Sequence, residues 1–418
     1  MKVHLAYGQG QLTIDLPESA TIIQPTPKAG LPDERKAVFA ALDKPIQARP
    51  LRESINPGDR VCIVFTDITR ATPNERLIPW LLEYLTEAPT HEVTLLNGLG
   101  THRPNTAAEL DRMLTPQVTQ KYRVVNHEPE NANALVPLGT TADGTPALLN
   151  RHLVNADVRI VTGFIEPHFF AGFSGGPKGI MPGAAGLKTI MSNHGSRNLS
   201  SPNAAFGITE GNPLWEELRD IALRPGPSFL LNVAQNEQRQ ITGVFAGDLL
   251  AAHRLGCEFV RSSAMQKVDA PFDVVVTTNS GYPLDLNLYQ GVKGMSAAVR
   301  IVKTGGTIIM ACECSQGVPA NCSFDQILRS ASSPHEILAM LATPGYSRPE
   351  QWQAQIQALI QVKAHVYLYS SLPEQAVRGA HLVPCRDISA MVQQLFAANP
   401  RLRIAVLPQG PLTIPYLD

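Results

Sequence analysis

The stretch Gly163-Phe164-Ile165-Glu166-Pro167-His168-Phe169-Phe170-Ala171-Gly172-Phe173-Ser174-Gly175-Gly176-Pro177-Lys178-Gly179-Ile180-Met181-Pro182-Gly183-Ala184-Ala185-Gly186 decides how this chain is read. It holds seven glycines, three prolines, one histidine and one lysine. The apolar run before it, Val158 to Thr162, predicts a buried strand. Glycine at this density lets the backbone take positive φ and come close to a bound group, at an entropic cost that suits a site better than a core. Lys178 stands between Gly-Pro and Gly rather than among other charges, which argues against a merely solvated lysine. The pattern is not a phosphate-binding P-loop, because Gly179 follows the lysine where that motif needs Ser or Thr. A short helical stretch then leads to Asn193-His194.

Working upstream, the same plan of strand, polar loop and helix recurs. Val61 to Phe65 is a strand that runs into Thr66-Asp67-Ile68-Thr69-Arg70-Ala71-Thr72-Pro73-Asn74, with a helix from Glu75. Val93 to Asn97 runs into Gly98-Leu99-Gly100-Thr101-His102-Arg103-Pro104-Asn105, with a helix from Thr106. Alternating strands and helices predict an α/β domain with a mostly parallel sheet, whose ligands sit beyond the carboxyl ends of the strands. Asp67, Arg70, His102, Glu166 and His168 all fall there, on three loops. Taken singly, Asp67 reads equally as an Asx turn, Arg70 as a surface charge and His102 as a helix cap. His127 and His152 lie in polar segments and read as surface residues. Residues 1–18 alternate about Gly8-Gln9-Gly10 as a hairpin, and Asp33 to Leu42 reads as a helix.

Downstream, Gln266 to Pro271 reads as a linker. It divides the chain into an N-terminal domain, 1–268, and a C-terminal α/β domain, 272–418. The expected fold is therefore α/β with two domains, each a mostly parallel sheet flanked by helices, and an active site in the cleft between them. The tail from Pro408 is expected to pack back on the first domain. Strands are expected at Phe272 to Thr278, Gly305 to Ala311, His365 to Ser370 and Leu402 to Leu407. Helices are expected from Leu288, at Phe324 to Ala331 and at Pro349 to Val362. Gln290 and Lys293, three apart, share a helical face. Trp352 reads as either a packing residue or a pocket wall.

The 418 residues exceed one ordinary core, which agrees with two domains. With 44% hydrophobic residues, 17% charged residues and a net charge of −1, the chain has no electrostatic footprint for nucleic acid or membrane. No apolar run is long enough to span a bilayer, and the N-terminus lacks the apolar run of a secretory signal, so a cytoplasmic protein is expected. The six cysteines form neither a zinc ribbon nor a C-x-x-C pair and read as free thiols.

The glycine-rich stretch, with Ser192-Asn193-His194 after it, resembles the signature of the nickel-pincer lactate racemases and related 2-hydroxyacid racemases and epimerases. The loops Asp67-Ile68-Thr69-Arg70 and Gly100-Thr101-His102-Arg103-Pro104, and Tyr289-Gln290-Gly291-Val292-Lys293, match further family motifs in the family's order. Ala71 stands where proline is frequent. The resemblance implies two cofactor components, nickel and a pyridinium-3,5-bisthiocarboxylic acid-type mononucleotide. The resemblance implies covalent attachment of the nucleotide to Lys178, with His194 as the protein's metal ligand. It further implies cofactor contacts from Asp67, Thr69, Gly175, Gly176, Pro177 and Tyr289. Substrate contacts fall to Arg70, Gln290, Lys293 and Trp352, and maturation proteins are implied as partners. The substrate class is a 2-hydroxy or sugar acid.

The chemistry suits these residue types. Racemising a 2-hydroxy acid breaks a C–H bond whose proton is weakly acidic, and a pyridinium ring solves this as a hydride acceptor. Each enantiomer needs a base for its hydroxyl proton, and histidine titrates near neutrality. His102 and His168 fit those two roles. Arg70 and Lys293 suit a carboxylate, and Asp67 suits the orientation of a histidine. Two other readings stay open at this point: a phosphate-binding kinase or transferase using the glycine-rich loop, and a non-catalytic cofactor-binding protein.

Overall fold

The computed structural model describes all residues except 90, 319–321, 344 and 418. The chain forms two compact units, but they do not follow the boundary at residue 268. One unit comprises Pro27–His194 and Asn203–Ser262, the other Met1–Thr26, Gly195–Pro202 and Ser263–Asp418.

The first unit is built on a six-stranded sheet. Its order is Ile241–Asp248, Phe229–Gln235, Val158–Phe164, Arg60–Thr66, Glu92–Gly98, Arg123–Asn126. All neighbours are parallel except the pair 241–248 and 229–235. The chain moves outward from 60–66 through 92–98 to 123–126. It then returns to 158–164 on the other flank of 60–66 and continues to 229–235. The strand order therefore reverses between 60–66 and 158–164, the position at which such sheets open a crevice for ligands. The runs are β-branched and apolar because both faces are covered: Val61, Ile63, Phe65, Leu95 and Ile160 are buried on one face, and Cys62, Val64, Leu96 and Val161 on the other. Against them packs helix Asn74–Leu85, whose Leu77, Ile78, Leu81 and Leu85 recur at helical spacing and are buried. Helix Ala107–Leu114 starts at Thr106, which forms a capping box with Glu109.

The second unit carries an all-parallel sheet ordered Val383–Pro384, His365–Tyr369, Val302–Ala311, Phe272–Thr278, Ile404–Leu407, Thr21–Ile22. The N-terminal hairpin pairs Lys2 with Asp15 and Tyr7 with Gly10. Val3, Leu5 and Ile14 from it join the buried cluster of Val274, Ile309 and Val406. This is why the first 26 residues belong here. The segment read as a linker begins with a strand, Met265–Lys267, that pairs in parallel with Ile414–Tyr416 of the tail. All six cysteines are free thiols.

Candidate functional site

Three strand ends of the first unit deliver the predicted residues. After Thr66 the chain turns, with Arg70 N–H bonded to Asp67 O at 3.1 Å. Asn74 and Thr72 tie this loop back to Thr66. Asp67 is buried. Its Oδ1 accepts from Thr69 Oγ1 at 2.9 Å, and its Oδ2 lies 2.6 Å from His102 Nδ1. Burial pushes the Asp67 carboxyl up. The His102 hydrogen bond and charge, Arg70's charge and Thr69 outweigh burial and hold the carboxyl below its ordinary range. An ionised Asp67 fixes the proton of His102 on Nδ1 and leaves Nε2 to exchange a proton with a ligand.

The His102 loop is tied to the glycine-rich stretch. Gly100, at positive φ, donates its N–H to Gly183 O at 2.9 Å. His168 sits on a two-residue ladder, Pro167–His168 against Gly172–Phe173. The N–H groups of Ala171 and Phe170 approach its Nδ1 at 3.2 and 3.5 Å.

Lys178 lies in a single 3-10 turn, Gly176–Gly179. The glycines around it pack tightly on neighbouring atoms: a Cβ at Gly179 would overlap Val161, and one at Gly183 would overlap Gly179 O. Their absent side chains let the loop lie flat on the sheet.

These parts open into one small cavity of about 80 Å³. Val64 to Thr66 and Thr162 to Phe164, from the two strands at the reversal, form its floor. Asp67, Arg70, His102, Glu166, His168, Gly175 and Lys178 line it. Thr69 reaches it through Asp67 and His102, whereas Gly176 and Pro177 are buried outside the lining. His194 is also outside the lining, at the C-terminal end of helix Leu187–Asn193. Burial, with a smaller contribution from the Lys178 charge, pushes its imidazole down to about 3. It is therefore neutral at pH 7. One aromatic ring joins these groups: Phe170 meets His168 edge-on at 4.5 Å and His194 at 5.1 Å between centroids, and Lys178 Nζ stands 5.8 Å from its centre.

With that geometry in place, residues 7–207 match the family described as lactate racemase N-terminal domain, and residues 267–414 the one described as lactate racemase C-terminal domain. The chain belongs to the lactate racemase family. It is 35% identical to the lactate racemase of Lactiplantibacillus plantarum over 90% of each chain. It is 33% identical to that of Thermoanaerobacterium thermosaccharolyticum over 98% of this chain and 97% of the other. The lactate racemase apoprotein structure from the latter organism superposes with a TM-score of 0.94 at 32% identity, covering 99% of this chain and 100% of that one. A Thermotoga maritima protein shares the fold alone, with a TM-score of 0.70 at 20% identity over 94% of this chain and 100% of that one.

In this racemase-family enzyme, an isomerase, the remaining predicted residues sit in the second unit. Tyr289, Gln290 and Lys293 lie on helix Leu288–Ala298, capped by Asn287. Trp352, on helix Gln351–Lys363, is buried and donates its indole N–H to Tyr289 Oη at 3.1 Å. Phe324 meets the Tyr289 ring edge-on at 5.5 Å.

Sequence reasoning missed Phe170, Asn232 and His253. It also misplaced His127, which is buried: its Nε2 bonds Ala185 O at 2.8 Å and its Nδ1 meets Asn150 Nδ2 at 3.0 Å. His253 is equally buried, and burial pushes it down to about 4 despite its bond to Ser174 O. A histidine whose folded pKa lies below its unfolded value of 6.5 contributes stability that is full above pH 6.5. That contribution is lost as pH falls toward 4. Between pH 7 and 5 the loss from His253 is about 2 kcal/mol, and His127, also depressed by burial, adds to it in the same direction. Urea midpoints at the two pH values check this. Replacing His253 with leucine should flatten the pH dependence, and an unchanged slope would refute the assignment.

Proposed function

We propose that this protein interconverts the enantiomers of lactate or a closely similar 2-hydroxy acid, using a nickel-pincer pyridinium nucleotide attached to Lys178. The observation that carries the reading is the opening of His102, His168, Arg70 and Lys178 into one cavity at the strand-order reversal. The residues suit the group. Lys178 offers an amine to the cavity, and His194 offers a neutral imidazole on the same aromatic ring. Among the described residues no three His, Cys, Asp or Glu side chains gather as a metal site. On this reading His194 would hold the metal for the protein, and the bound group would supply its other donors.

When bound, the group supplies a hydride acceptor for the substrate's carbon-bound hydrogen. The chain's own residues do the rest. Arg70 holds the carboxylate, bidentately where geometry allows. His102 Nε2 and His168 Nε2 exchange the hydroxyl proton, one for each enantiomer. Asp67 keeps His102 in the tautomer that presents Nε2. Separate maturation proteins would install the group. No helix among the described residues is long and apolar enough to cross a membrane.

A phosphate-transfer reading of Gly-Gly-Pro-Lys is disfavoured. The N–H of Gly176 is bonded to Asn232 Oδ1 at 2.8 Å and that of Lys178 to Gly175 O at 3.1 Å, so neither can cradle a phosphate.

The test is a stereochemical assay of the matured protein against a panel of 2-hydroxy acids. Turnover of none would end the proposal. Asp67→Asn is a second test. It keeps the shape of the side chain but removes its charge, so His102 is no longer held in one tautomer. A loss of about 100- to 10,000-fold in kcat, with KM little changed, is expected. A change confined to KM would instead make Asp67 a binding residue.

A further inference from the structure

Beneath the Lys178 turn, on the side away from the cavity, lie two buried polar side chains that the chemistry above does not use. Asn232, on strand Phe229–Gln235, is fully buried, and its Oδ1 accepts the N–H of Gly176 at 2.8 Å. Its own amide donates to Leu231 O at 3.1 Å. His253, on helix Leu249–Ala264, is 2% exposed, and its Nε2 bonds Ser174 O at 2.9 Å. The imidazole is gripped on both sides. The Trp215 ring lies parallel to it, 12° between planes and 6.5 Å between centroids. Gly176 presses on it so closely that a Cβ there would overlap the ring. Gly175 touches Asn232 in the same way. Ser174 is in turn fastened to the end of the central strand, its Oγ bonding Phe164 O at 3.0 Å and its N–H bonding Glu166 O at 2.8 Å.

We propose that His253 and Asn232 are positioning residues for Lys178: together they lock the Ser174–Gly176 turn from below, so that the turn carrying the lysine takes one pose. Neither lines the cavity, so neither touches a substrate or a reacting atom. Three consecutive residues, Ser174, Gly175 and Gly176, are fixed by bonds or contact to these two side chains. The next turn begins where they end, with Lys178 N–H on Gly175 O. A loop rich in glycine has no intrinsic preference for one conformation, so that pose has to be imposed by neighbours. The inference rests on Lys178 being the attachment residue, but its physical content, a locked turn, is measurable without that.

The test compares wild type with His253→Leu, which removes the donor, and His253→Gln, whose amide nitrogen stands near the position of Nε2. Amide hydrogen exchange is read on the peptide spanning 174–179 and on the strand 60–66. Mass analysis of peptides after coexpression with maturation proteins gives the fraction of Lys178 modified. In His253→Leu, exchange at 174–179 should quicken about tenfold or more while the strand holds. The modified fraction should fall about tenfold, in line with the sensitivity of such steps to misplacement of roughly 1 Å. His253→Gln should restore both. Wild-type readings in His253→Leu would overturn the proposal. Equal quickening across the strand would reduce His253 to a general packing residue, and failure of His253→Gln to restore the readings would remove the hydrogen bond as the cause. Should His253→Leu not fold, Asn232→Ala removes the other half of the lock and takes the same readings with the same outcomes. An unmodified Lys178 in the wild type would refute the attachment reading instead, and the exchange arm would still decide the positioning claim.

Discussion

Replacing Lys178 with alanine is expected to abolish both the covalent adduct and turnover, while His194→Ala keeps the adduct and loses the metal. The contrast follows from where the two residues stand. Lys178 is presented to the cavity from a turn pinned on its underside, and on the proposed reading its amine is the covalent anchor. Without it that covalent hold would be lost, and a hydride acceptor that is not held in place contributes little. His194 is neutral and buried on the far edge of the Phe170 ring. It cannot anchor the nucleotide, but on the proposed reading it completes the coordination of nickel. Peptide mass after coexpression with maturation proteins measures the adduct, and metal analysis of the same preparations measures nickel. Full activity with unmodified Lys178 would sink the attachment claim. Wild-type nickel content in His194→Ala would sink the ligand claim. Neither change should unfold the protein: Lys178 lines a cavity, and His194→Ala removes a side chain that is already uncharged in the fold.

The strand–loop–helix units at 60–66, 92–98 and 158–164 were legible because each strand is a short apolar run punctuated by turn residues, a local signal. The loops were legible because their residue types sit at fixed offsets from those runs. What escaped was tertiary. Thr21–Ile22 is two residues long and both are exposed, so no periodicity marks it as the edge of the second sheet. Met265–Lys267 leads into a polar, proline-ended segment, and only pairing with residues about 150 positions later makes it a strand. His127 lies among polar residues, yet it is buried because Ala185, 58 residues away, needs a donor. Asn232 and His253 could have been suspected. An asparagine inside the apolar run Phe229 to Ala234, and a histidine on the apolar face of an amphipathic helix with Leu249, Ala252 and Val260, each require a buried partner. The sequence does not say that the partner is the glycine-rich loop.

His102→Ala and His168→Ala are each expected to slow racemisation by at least about 100-fold, since general-base catalysis contributes roughly 100- to 10,000-fold and on the proposed reading the complete reaction uses both histidines. The reason is geometric. On the proposed reading the hydride acceptor is fixed by its attachment, so the substrate hydroxyl would point to different sides in the two enantiomers. His102 reaches the cavity from the loop after strand Glu92–Gly98, and His168 from the loop after strand Val158–Phe164. In each ring Nδ1 is committed to the protein, to Asp67 in one and to the Ala171 and Phe170 N–H groups in the other. On the proposed reading Nε2 is the exchanging nitrogen in both. Half-reactions separate the two: on the proposed reading each single variant should retain oxidation of one enantiomer to the 2-oxo acid and lose it for the other. A deuterium label at the reacting carbon tests the route independently. Hydrogen that leaves carbon as hydride stays with the substrate, whereas a proton taken by histidine washes into water. Complete washout at early turnover would remove the hydride route, and a double variant racemising at the wild-type rate would remove the two-histidine assignment.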